Sequence, residues 1–344
     1  MKKSPVRPVA RAPRELPFEF LNAKLRGRRR TVYEGDRLAR LSECRTLEAL
    51  ADRLFRSETI VGRLAIERRL RQDCVKELAF VVPYLPESFA QFYIALLRRF
   101  QIDNILVLLR LFSGRPRETS PESYVPEMPR LLSLPSGELL SSADLTEFIH
   151  KLPEDLSEAV SPVVARYKDK DSAVFVEMAL ERAYWEGVCA GFKWLPADYR
   201  ETCIRPILYE LYAARLMAVL RAARNYKVRW EDLQPLLPPA AMGSVKSGLG
   251  ASDSALRRVH EQPAPERIAA SVRALRKPKV PESLLELEEL FWQEIFRRAN
   301  RVYYTAPEGP AVLVGYYYVR RNELKNLTAL VESIHYSKRM ETAK

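Results

Sequence analysis

Three stretches decide the fold: Asn104-Ile-Leu-Val-Leu-Leu-Arg110, Arg215-Leu-Met-Ala-Val-Leu-Arg221 and Asn326-Leu-Thr-Ala-Leu-Val-Glu332. Each runs polar, apolar, two variable positions, two apolar positions and then a charge. The second starts 111 residues after the first, and the third 111 after the second. Leucine-rich stripes of this kind are a helix signal, and a fixed long period marks a chain built from repeated units. A second anchor lies upstream of each stretch. Glu181-Arg-Ala-Tyr-Trp185 matches Glu288-Glu-Leu-Phe-Trp292 and, more loosely, Glu67-Arg-Arg-Leu-Arg71. The glutamates precede their stretches by 37, 34 and 38 residues in chain order. The repeat signature is therefore Glu67, Asn104, Glu181, Trp185, Arg215, Glu288, Trp292 and Asn326.

Working outward, helical patterns cover Phe18–Arg26, Thr46–Leu54 with Thr46 as N-cap, and 60–82, 88–98 and 102–112. They resume at 143–150, 172–193 and 200–224, and again at 254–261, 265–275, 282–302 and 319–337. Proline-rich breaks at 114–134 and 233–253 separate the groups. The expected organisation is all-α: a basic flexible arm at 1–16 and three pseudo-repeated modules at 17–115, 116–227 and 228–344. Periodicity leaves open whether such modules form an open chain or a closed, funnel-like ring.

Composition agrees with an all-helical body. Of 344 residues, 47% are hydrophobic and only 12 are glycine, too few for a turn-rich β fold. Four scattered cysteines lack any CxxC pair and read as reduced thiols, and three distant histidines form no zinc constellation. The basic start has no apolar signal core, and no window approaches the apolar length of a spanning helix. The chain is expected to be soluble or peripheral.

The net charge of +12 is concentrated. Residues 1–40 hold 12 Lys/Arg against 4 Asp/Glu, leaving +4 for the rest. That distribution argues against a nucleic-acid face, which spreads over a folded surface. The run Arg26, Arg28, Arg29, Arg30 reads either as a solvated basic face or as a contact for acidic partners or lipid head groups. Arg110 and Arg221, which close the first two stretches, are expected to line one rim. Asn104 and Asn326 read as packing or capping groups at helix starts, and Trp185 and Trp292 as module core. Gly243–Gly250 resembles a phosphate loop, but Leu249 and Gly250 stand where lysine and serine or threonine are needed. No nucleophile, metal or phosphate constellation emerges, so neither catalysis nor a cofactor is expected.

Phe20-Leu-Asn-Ala-Lys-Leu-Arg-Gly-Arg-Arg29 resembles the opening of the central-stalk connector of rotary V/A-type ATPases. That family comprises the C-type connectors of prokaryotes and the equivalent d-type connectors of eukaryotes. The likeness continues in Arg99–Arg110 and in Tyr317-Tyr-Val-Arg-Arg-Asn-Glu323-Leu-Lys-Asn326-Leu. Arg215 and Glu332 depart from the pattern of the other copies. The resemblance implies a funnel-shaped, non-catalytic component, peripheral on the cytoplasmic face of the membrane. Its implied partners are the D- and F-type proteins of the rotor shaft and the proteolipid ring, with ion transport as the process served. The rival reading is a basic helical-repeat protein that binds nucleic acid or acts as a scaffold.

Overall fold

The computed structural model describes residues 18–56, 58–114, 124–167, 172–222, 230–239, 283–306 and 309–342. Among them all regular structure is helical. The helices are α1 (Phe18–Arg29), α2 (Asp36–Ser42), α3 (Leu47–Leu54), α4 (Arg63–Ala79) and α5 (Glu87–Gly114). Then come α6 (Ser136–Leu140), α7 (Leu145–His150), α8 (Glu154–Arg166), α9 (Ser172–Gly191) and α10 (Ala197–Arg221). The last three are α11 (Trp230–Leu233), α12 (Leu284–Thr305) and α13 (Pro310–Thr342).

Local chemistry sets several starts. Thr46 accepts from the Ala49 amide at α3, Asp144 from Glu147 at α7, and Ser283 from Glu286 at α12. Each satisfies an amide that the first helical turn leaves unpaired. Gly309, at φ +90, makes the left-handed step into α13.

Two helices, α5 and α13, run well beyond what the sequence pattern indicates. Segments 88–98 and 102–112 form a single helix, α5, because Arg99 pairs with Asp103 one turn on while Phe100 and Ile102 bury their side chains. Helix α13 begins at 310 and not 319, since Ala311–Val314 and Tyr316–Val319 are buried all round and show no amphipathic period. The sequence pattern gives no sign of helix α8, as Pro153 precedes it and Pro162 lies inside it. The expected helices at 254–261 and 265–275, and the arm at 1–16, lie outside the described residues.

Three long-range helix contacts organise the packing. Helix α5 packs on α9, α10 on α12, and α13 on α4. The chain's last helix thus returns to its first long one. A large apolar core joins α1, α4, α5, α8, α9, α10, α12 and α13. A second cluster sets Leu41, Leu50, Ile66 and Leu70 against Leu327, Val331 and Ile334 of α13. Helices α12 and α13 approach so closely that a Cβ on Gly315 would lie 2.6 Å from Tyr303 Cβ and 2.9 Å from its backbone.

Candidate functional site

The helix junctions carry the polar chemistry. At the first, Arg110 on α5 donates to both carboxylate oxygens of Glu177 on α9, at 3.0 and 3.4 Å. At the second, Arg221 on α10 meets Glu288 on α12 at 2.5 Å. Each pair spans 67 residues, and the two pairs are 111 residues apart at both ends. At the third junction the polarity reverses. Glu332 on α13 lies 3.9 Å from Arg63 on α4, which also holds Glu67 at 3.2 Å.

These pairs correct the upstream anchor by one helical turn. The structural counterpart of Glu288 is Glu177, while Glu181 corresponds to Trp292. Residues i and i+4 share a helix face, so a one-turn slip leaves the apolar pattern intact. Glu181 serves a different partner, Arg99, at 2.7 Å.

Deeper in, a second set of charges meets where α5, α9, α10 and α13 converge. Arg99, Glu210 and Arg321 occupy equivalent places, each 111 residues from the next. Arg321 donates to Glu210 at 2.7 Å, and the Tyr318 hydroxyl donates to the other carboxylate oxygen at 2.7 Å. Arg99 bonds Glu181 and Asp103, both at 2.7 Å. The Arg321 guanidinium lies 4.9 Å from the centre of Trp292, whose Nε1 donates to Asn322. Burial opposes the charge on Arg99, yet Asp103 and Glu181 outweigh it and hold its pKa well above the usual value. Burial likewise opposes Arg321, and Glu210 reverses the balance. Burial raises Asp103, and the cations Arg99, Arg71 and Arg321 pull it below the ordinary range. Arg99, Asp103 and Arg321 hold their charges because each faces groups of opposite sign.

Part of the basic run is drawn into the fold. Arg29 is buried, donating to Glu34 at 2.6 and 2.9 Å and to Asn300 at 3.1 Å. This corrects its placement among partner-facing residues: α1 lies against α13, and Arg29 reaches α12 through that contact. Arg28 lies 3.6 Å from Glu77. Arg26 donates to the Ala306 carbonyl at the end of α12, at 3.1 Å, with its chain exposed. Arg30 is exposed.

A family model described as ATP synthase (C/AC39) subunit matches residues 21–344. The chain belongs to that family of V/A-type ATP synthase subunits. No curated protein matches it. Among the described residues, no helix of this C/AC39 chain is long and apolar enough to cross a membrane. None of the described His, Cys, Asp or Glu residues form a group of three that could hold a metal ion.

The remaining signature residues of this C/AC39 chain are interior or mid-helix. Trp185 is buried and meets Tyr184 edge-on at 4.9 Å. Asn104 is buried in the middle of α5, and Asn326 lies mid-way along α13, half-buried. Neither starts a helix, so of the packing and capping roles expected of them only packing is left. Arg215 donates to the Pro238 carbonyl, and burial lowers its pKa. Burial pushes the thiols of Cys74 and Cys203 up to about 12 and that of Cys189 to about 11, so they are poor nucleophiles. The triad Arg99, Glu210 and Arg321 escapes the sequence reading, although its 111-residue spacing is visible. A change of sign in the middle copy breaks the match of residue types.

Proposed function

We propose that this chain is the non-catalytic central-stalk connector of a V/A-type rotary ATPase, seating the rotor shaft on the membrane proteolipid ring. Three modules, near 17–115, 116–227 and 228–344, would form a funnel-like socket on the cytoplasmic face. The observation that carries the reading is the returning order of helix packing, α5 on α9, α10 on α12 and α13 on α4. An arrangement in which the last element grips the first resists opening under torque, as a coupler between shaft and ring must. The alternating charges of Arg99, Glu181, Glu210 and Arg321 support the same reading. A satisfied polar network fixes the relative placement of the helices it joins more narrowly than apolar packing alone.

Arg110 and Arg221 repeat along one structural register, and we propose that they mark a rim used by shaft or ring. The test is capture. Purified chain, offered a D/F-type shaft pair and a detergent-solubilised ring, is expected to retain both. Retention of neither sinks the reading, and retention of one alone contradicts the bridging role.

A further inference from the structure

Exposed aromatic residues stand at the C-terminal ends of α4 and α12 and in the connection that follows α9. Phe80 is 38% exposed, with Lys24 Nζ 4.3 Å and Arg28 5.0 Å from its ring centre. Trp194 is 45% exposed, with Lys193 Nζ at 4.9 Å. Tyr304 is 63% exposed, near the exposed Arg26, which bonds the Ala306 carbonyl two residues further on.

These tips belong to one end of the molecule. Helix α1 joins the first and third, since its Lys24 and Arg28 cover Phe80 while its Arg26 bonds Ala306. The second and third touch directly: Gly309 packs on the ring of Tyr199, so close that a Cβ there would lie 2.6 Å away. At the same end, Gly191 closes α9 against Phe92 near the start of α5, the helix into which the connection after α4 leads. On these segments the six cations Lys24, Arg26, Arg28, Arg30, Lys193 and Arg200 outnumber the five carboxylates Glu19, Glu87, Asp198, Glu201 and Glu308.

We propose that this end binds an anionic phospholipid surface. Trp, Tyr and Phe settle at the level of the head groups, where one edge is apolar and the other wet. Lysine and arginine beside them are attracted to the lipid phosphates. A rim of three aromatic tips with cations, and with no spanning helix among the described residues behind it, suits shallow and reversible attachment. The inference rests on the connector reading only for the presence of a bilayer nearby.

The test uses the full chain, sedimented with vesicles of phosphatidylcholine alone or mixed with phosphatidylglycerol. Binding to the anionic vesicles is expected, falling with added salt. Each cation near the surface is worth about fivefold in affinity, so K193E/R30E should bind at least about tenfold more weakly. W194S/Y304S, which changes only exposed side chains, should weaken binding and leave the melting temperature in place. Failure of the wild-type chain to bind anionic vesicles overturns the proposal, as do variants that bind like wild type. Variants that keep vesicle binding but lose the solubilised ring overturn it too, assigning the rim to a protein partner. Capture of shaft and ring by a wild-type chain that ignores vesicles sinks this inference and leaves the connector reading standing. Vesicle binding without any such capture does the reverse.

Discussion

Glu210→Gln isolates the central ion cluster with little change of shape. Glu210 is buried on α10 and ties α13 through both Arg321 and Tyr318. At 2.7 Å and an effective dielectric of about 20, its attraction to Arg321 is on the order of 6 kcal/mol before desolvation is subtracted. Removing one partner of a buried pair costs about 3–5 kcal/mol, because the other charge remains buried without compensation. Glutamine keeps an acceptor for Tyr318, which puts the expected loss near the lower end, about 3 kcal/mol. With an unfolding entropy of about 2.1 cal/mol/K per residue, that corresponds to a drop of about 4 °C in Tm. Calorimetry of E210Q, R321M and E210Q/R321M completes a double-mutant cycle. The double variant should lose less than the sum of the singles by at least about 2 kcal/mol. A shift below about 1 °C for E210Q, or additive losses, would refute the claim that this pair holds α10 to α13.

Gly315→Ala should be costly, about 1–3 kcal/mol, because the new methyl meets the Tyr303 backbone and α12 must move away from α13; urea titration measures it. At the third junction, burial first and the neighbouring Glu332 second raise the Glu67 pKa above 4.5, against the pull of Arg63. The folded chain therefore holds that proton more tightly than the unfolded one, and stability is lost as pH rises through the window just above 4.5. Glu67→Gln should raise Tm at neutral pH and flatten the curve in that window; a variant with unchanged pH dependence contradicts the assignment. A thiol reagent should label Cys74 and Cys203 only after unfolding, with Cys189 slow in the native chain. Rapid native labelling of Cys74 would show that α4 and α13 separate.

The all-helical class, the 111-residue period and the family were legible because leucine stripes and short signature runs are local properties. What stayed hidden depends on partners distant in sequence. Nothing near Arg29 announces that Asn300 will bind it, so one arginine destined for the interior reads as part of a basic surface. Arg99 interrupts an apolar run and mimics a helix boundary, yet its bonds to Asp103 and Glu181 let α5 pass through unbroken. The one-turn slip between Glu177 and Glu181 has the same origin: periodicity fixes a helix face, and only a partner such as Arg110 fixes the turn. The long apolar opening of α13 failed as a helix signal because it is buried on every side.

The central claim is that this chain transmits rotation between the shaft and the ring. Its most direct test is a V/A-type ATPase reconstituted into vesicles with and without the chain, following ATP hydrolysis and ion pumping together. The account predicts that omission leaves hydrolysis running while pumping stops, and that adding the purified chain restores pumping. Pumping that continues undiminished in its absence would contradict it.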